Sequence, residues 1–192
     1  MIGTLSGKLL DPFKLSPADI DIEEVAHSLA QQNRYTGHTK FPLSVAQHST
    51  LLSRNVPRHL AFAALLHDGP EYLVSDIAWP IKSRLEGYQE IEDIVTGVFV
   101  LKFGLTFSDL EAVKEYDRRI CVDEINQLCA FPPPKGLKPL RIGKIREMDW
   151  RDARDEFLDR FYELYDGEDD LGGGPTDASA FMSVDSFMGA LA

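Results

Sequence analysis

Along most of the chain, apolar residues recur every three or four positions, and short Pro-, Gly- and polar-rich stretches interrupt them. That is the pattern of an all-α protein. After the turn-like LSPAD, the segment DIDIEEVAHSLAQQ places Ile22, Val25, Ala26 and Leu29 on one face of a predicted helix. NRYTGHTKFPL is irregular. Ser44 then suits the N-cap of a helix, SVAQHSTLLSRN, whose inner stripe carries Val45, His48 and Leu52. Pro57 suits the first position of a third helix, RHLAFAALLHDGPEYL. This segment is apolar on nearly every face, so it is predicted to be central and buried. Gly69-Pro70 is expected to disturb it just after His67-Asp68.

A loop, VSDIAWP, precedes a long amphipathic segment, IKSRLEGYQEIEDIVTGVFVLKFG, expected to break near Gly87. Ser108 and Glu111 have the spacing of a capping box and are expected to start the helix that carries Asp117. FPPPKGLKP stops regular structure and reads as a rigid connector rather than a PxxP docking ligand. The helix MDWRDARDEFLDRFYELY closes the pattern, with Phe157, Phe161 and Leu164 predicted to face inward. Residues 1–166 are expected to form one domain. Residues 167–192 read as a flexible acidic, Gly-rich tail in which Phe181, Val184, Met188 and Leu191 recur at helical spacing, as either a short docking helix or disorder.

The 192 residues, 44% of them hydrophobic, suffice for one domain with a sizeable core. No apolar run is long enough to span a bilayer, and the start lacks the basic and apolar regions of a secretory signal. The expectation is a cytoplasmic protein with no membrane partner. A net charge of -11 repels a phosphate backbone, so extended nucleic acid is a poor partner. A small anionic substrate remains compatible where basic residues gather locally. Cys121 and Cys129 lie eight apart on one predicted helix. That spacing is about 12 Å at helical rise and too far for a disulfide.

The candidate chemistry centres on His67-Asp68. Imidazole and carboxylate are the ligands of a catalytic divalent metal. An ionised carboxylate at the end of an apolar helix costs several kcal/mol unless something neutralises it, and a cation would do so. His48 lies on the inner stripe of the preceding helix, and Asp117 lies one turn before Ile120 and Cys121 on an amphipathic one. Each could instead be an ordinary core residue. The four together favour one metal held between helices. Glu71, one turn beyond the pair, suits a group that orients or deprotonates a metal-activated water. Asp76, in the following loop, is either a functional carboxylate or a helix cap.

These residues resemble the HD-domain phosphohydrolases, closest to the small branch of 5'-deoxynucleotidases and deoxynucleotide triphosphohydrolases. The likeness rests on NRYTGHTKFPLSVAQHS, ALLHDGPEYLVSDIAWPIK, YQEIEDIVTGVFVLKFGL and VKEYDRRI, in the family's order. It implies a compact HD-domain helical bundle, with His48, His67, Asp68 and Asp117 as ligands of a divalent ion (Zn, Mn, Co, Fe or Mg). It implies Glu71 and Asp76 as the acidic helpers, Arg34 as the phosphate-binding arginine, and Pro80 and Lys82 as the family's proline-lysine pair. A second Mg arriving with the substrate is compatible with this site. Where relatives commonly carry Trp after the arginine, this chain has Tyr35, a smaller ring beside the sugar. Trp79 is an additional aromatic that could stack on a base or anchor its loop. The implied activity is hydrolysis of (deoxy)nucleotides, with monophosphates preferred because few further basic residues cluster near the motifs. The alternatives are a triphosphohydrolase and a non-catalytic nucleotide-sensing HD protein. The resemblance also implies a homo-oligomer.

Overall fold

The computed structural model describes residues 1–165. The expected tail at 167–192 lies outside the described residues. The fold is all-α. A two-stranded antiparallel hairpin, β1 (Ile2–Gly3) and β2 (Leu9–Leu10), opens the chain. The helices follow: α1 (Ile22–Gln31), α2 (Val45–Arg54), α3 (Ala61–Leu66), α4 (Glu71–Val74), α5 (Trp79–Lys82), α6 (Tyr88–Phe103), α7 (Phe107–Leu128) and α8 (Trp150–Leu164).

α1 starts where the Asp21 side chain accepts the Glu23 N–H at 3.0 Å, and its predicted face, Ile22, Val25, Ala26 and Leu29, is buried. α2 starts at Ser44, whose hydroxyl accepts the Gln47 N–H at 3.1 Å. Such caps satisfy amides that have no partner within the helix. α1 packs on α8 and α2, and α2 packs on α3 and α8. The main core gathers Leu29, Leu66, Phe99, Phe157 and Phe161. As predicted, Phe157 and Phe161 are buried, and half-buried Leu164 packs against this core. A smaller cluster of Leu52, Leu60, Ala64, Val113 and Ile120 joins α2, α3 and α7.

Three expectations need correction. The third segment is not one helix. Pro57 caps a 3-10 turn over Arg58–Leu60 rather than opening an α-helix. α3 then ends at Leu66, a turn carries His67, Asp68, Gly69 and Pro70, and α4 follows. Gly69 is needed for close packing rather than for its backbone angles. A Cβ there would lie 2.8 Å from Phe99 Cδ1 and 2.9 Å from the Leu66 carbonyl oxygen, so α6 can press directly on the backbone after Asp68. The start of α7 is capped by Thr106, not Ser108. The Thr106 hydroxyl accepts the Asp109 N–H at 3.1 Å and sits 2.7 Å from Asp109 Oδ2, so Thr106-x-x-Asp109 fills the place assigned to Ser108 and Glu111. The expected break at Gly87 is real. Its φ of 76° is left-handed, and α6 begins immediately after it. Cys121 and Cys129 are free thiols, both half-buried. Among the described residues no helix is long and apolar enough to cross a membrane.

Candidate metal centre

Four elements place the site. His48 is fully buried in the middle of α2. His67 and Asp68 lie on the turn after α3, and Asp117 lies on α7. Arg34 sits in a 3-10 turn over Arg34–Gly37, held against the start of α2 by its N–H bond to the Leu43 carbonyl at 2.9 Å. Tyr35 and Thr36 in this turn take φ values of 56° and 54°. Such conformations are rare for residues with side chains, and they turn Arg34 and Tyr35 inward together.

One ligand atom from each of His48, His67 and Asp117 lies within 4.8 Å of the others, a group that could hold a metal ion. Asp117 Oδ1 is 3.2 Å from His48 Nε2 and 3.8 Å from His67 Nε2. The structure brings Asp68 to the same place, with Oδ1 3.1 Å from His67 Nε2 and Oδ2 3.7 Å from His48 Nε2. The imidazoles face each other with ring centroids 5.4 Å apart.

The donor atoms fit a cation. Neither His48 Nε2 nor His67 Nε2 makes a hydrogen bond of acceptable geometry, although both are buried. Buried polar nitrogens normally find partners. Each ring is committed through its other nitrogen. His67 Nδ1 lies 2.8 Å from the Ala64 carbonyl oxygen, and His48 Nδ1 lies 2.6 Å from Glu124 Oε1. A carbonyl and a carboxylate only accept hydrogen bonds, so both Nδ1 atoms carry the proton and both Nε2 lone pairs point inward.

The local field favours positive charge at that spot. Burial and Arg34 work against protonation of His48, yet Glu124 and Asp117 leave its pKa raised. Burial likewise opposes protonation of His67, and Asp68 and Asp117 raise its pKa well above the ordinary value. Burial opposes ionisation of Asp68, yet His67 and Arg34 bring its carboxyl down to about 2. Asp117 is also held far below the usual carboxylate range, against burial, by the His48 and His67 imidazoles close beside it.

Glu124 is a site residue that sequence reasoning missed. It is completely buried on α7, two turns beyond Asp117. Besides His48, it accepts the Tyr35 hydroxyl at 2.7 Å and lies 3.4 Å from Arg34 Nε. The signal was available: Asp117, Cys121 and Glu124 follow i, i+4, i+7 spacing on one face. Tyr35 therefore stands behind His48, on the Nδ1 side.

The remaining candidates divide. Arg34 is at the site, with Nη1 3.2 Å from Asp68 Oδ2, Nη2 3.9 Å from Asp117 Oδ1 and 3.3 Å from Cys121 Sγ. Glu71 is buried, and its Oε2 has no hydrogen-bond partner. Burial, with Asp68 and Asp76 close by, pushes its pKa up to about 9. Asp76 is half-buried, its pKa raised by burial despite Arg34. Its N–H donates to Gln32 Oε1 at 3.0 Å. Lys82 is not directed at the imidazoles. It pairs with Glu92 and lies 5.4 Å over the Tyr88 ring. Trp79 is 73% exposed, so it is not a loop anchor.

Fold and site together define an all-α protein with a candidate metal site between helices. No family model matches the chain. It is 32% identical over 168 residues to the uncharacterized protein YfdR of Escherichia coli K12, across 85% of this chain and 94% of that one. The chain belongs to the family of that protein. It is also 40% identical over 111 residues to the uncharacterized protein RCAP_rcc00048 of Rhodobacter capsulatus. That match spans 53% of this chain and 57%, little more than half, of the relative's length.

Proposed function

We propose that this protein is a divalent-metal-dependent phosphohydrolase of the HD type that acts on nucleotides and releases phosphate from (deoxy)nucleoside monophosphates. The observation that carries the reading is the convergence of two imidazole Nε2 atoms, neither hydrogen-bonded, on the carboxylates of Asp117 and Asp68. His48, His67, Asp68 and Asp117 would hold the ion. Once bound, a divalent metal supplies a Lewis acid toward a phosphoryl oxygen and lowers the pKa of a bound water.

The surrounding residues have distinct tasks. Arg34 now balances Asp68, Asp117 and Glu124. With an ion held by the four ligands, Asp68 and Asp117 would need Arg34 less, and its guanidinium fork would be available to two phosphate oxygens. Glu71 Oε2, buried and without a partner, is the atom set to exchange a proton with the attacking water or the leaving oxygen. Asp76 shares that proton balance through its repulsion of Glu71. Lys82 meets a phosphate only after leaving Glu92, and Trp79 offers an exposed face on which a base can stack. Self-association, with a cytoplasmic location, completes the proposal.

A panel of nucleoside mono-, di- and triphosphates, each assayed with Mn, Co, Mg and Zn, tests the reading. Orthophosphate from monophosphates is expected, with a loss of about 10³-fold, or about 4 kcal/mol of barrier, in Asp68→Ala. Release of tripolyphosphate instead would identify a triphosphohydrolase. Equal rates for the two proteins would leave a nucleotide-binding HD protein without catalysis.

A further inference from the structure

A separate cavity, lined by none of the candidate metal ligands, lies against Tyr72 and Leu73 of α4. The N-terminal hairpin, α1 and α4 line an open cleft of about 450 Å³, within the size range of small-molecule sites. Two of its lining side chains, Glu24 and Tyr72, are only 5% and 9% exposed. Each carries a polar atom without a hydrogen-bond partner, Glu24 Oε2 and the Tyr72 hydroxyl. Buried polar atoms are matched in native proteins, so two in one cavity call for an occupant.

The chemistry of the occupant follows from the lining. Glu24 Oε1 is already engaged, accepting the Thr4 hydroxyl at 2.7 Å and the Ser6 N–H at 2.8 Å. Burial works against ionisation, but these bonds to Ser6 and Thr4 hold the carboxyl below its ordinary pKa, so it is anionic. Lys8 adds to this from outside the cavity, and none of the lining residues is Lys or Arg. The vacant acceptor is therefore a fixed negative charge beside a hydroxyl. An ammonium group offers three donors and the matching charge. Ile2, Leu5 and Leu73 supply apolar wall for a carbon chain, and the volume far exceeds what a bare ion would fill.

We propose that this cavity binds a small organic molecule through a primary ammonium group that donates hydrogen bonds to Glu24 and Tyr72. Its wall is shared with the acidic segment of the candidate metal centre. Tyr72 directly follows Glu71. Gln32 Nε2 donates to the Glu71 carbonyl at 3.0 Å and to Ser28 Oγ at 3.1 Å, while its Oε1 accepts the Asp76 N–H. Occupancy is therefore felt at the backbone that carries both carboxylates. The inference rests on the cavity alone and stands or falls independently of phosphate release.

Amide NMR of the full chain titrated with butylammonium chloride tests it, with 1-butanol and potassium chloride as parallel arms. Butylammonium is expected to give saturable shifts at the Ser6 and Asp76 amides, and the other two arms none. Glu24→Gln should abolish the effect. Tyr72→Phe, which keeps the ring against Phe99 at 5.7 Å, should fold normally and weaken binding at least ~5-fold, the equivalent of about one lost hydrogen bond. The proposal is overturned by no saturable shift, by the same shifts with potassium or butanol, or by unchanged binding in both variants.

Discussion

At the scale of single residues, the site depends on which imidazole nitrogen carries a proton. Glu124 fixes that choice for His48 from a fully buried position. Glu124→Gln can present an amide donor toward Nδ1 and reverse the preference. Metal affinity is expected to fall about 10–100-fold, as for other groups that orient a ligand, and titration calorimetry would show it. Unchanged affinity would remove Glu124 from the account. His48, His67, Asp68 and Asp117 were legible in the sequence because an inward stripe and an apolar helix cannot hide polar groups without a purpose. Glu124 was missed although it shares a face with Asp117 and Cys121, because DEINQL taken by itself reads as a largely polar, solvent-facing stretch, and only the packing of α7 against α2 shows it turned inward. Arg34 shows a different limit. Its place at the site came only from the family resemblance, and its contacts with three carboxylates depend on two consecutive left-handed residues, which no propensity suggests for Tyr35 and Thr36.

At the scale of elements, the turn between α3 and α4 and the hairpin behind α1 carry the testable consequences. Gly69→Ala would drive a methyl into Phe99 and the Leu66 carbonyl. A loss of about 1–3 kcal/mol is expected, measured by denaturant unfolding. Phe99→Leu in the same background should return part of it, and additive losses would count against the close approach. The Glu24 carboxyl, held below its ordinary value of 4.5, ties the hairpin to α1. The group's pKa is lower in the folded protein than in the unfolded chain. Its contribution is therefore complete above 4.5 and is lost as pH falls through the folded value. Thermal melts of Glu24→Gln should fall less steeply than wild type below pH 4.5, and parallel profiles would deny the linkage. The break at Gly69-Pro70 was readable because Pro cannot continue a helix. The move of the α7 cap to Thr106 was not, since Thr106 and Ser108 both have acidic residues three positions on and only the approach of the preceding Gly104 turn decides between them.

At the scale of the whole molecule, the helices bury enough apolar surface to fold around a polar centre that is itself unfavourable. Two inward nitrogens and three carboxylates face one guanidinium there, a grouping that a bound cation would neutralise at a low cost. Binding to the folded state alone stabilises it by about 4 kcal/mol at a thousandfold excess over the dissociation constant. Chelation should therefore lower the melting temperature by roughly 10 °C. The all-α architecture was legible throughout from helical periodicity, whereas the short N-terminal hairpin was not, because two-residue strands carry no alternation to read. The most direct measurement is elemental analysis of the dialysed protein beside His67→Ala and Asp117→Ala. About one divalent metal per wild-type chain is expected, with nearly none in either folded variant. Equal metal content in all three proteins would contradict it.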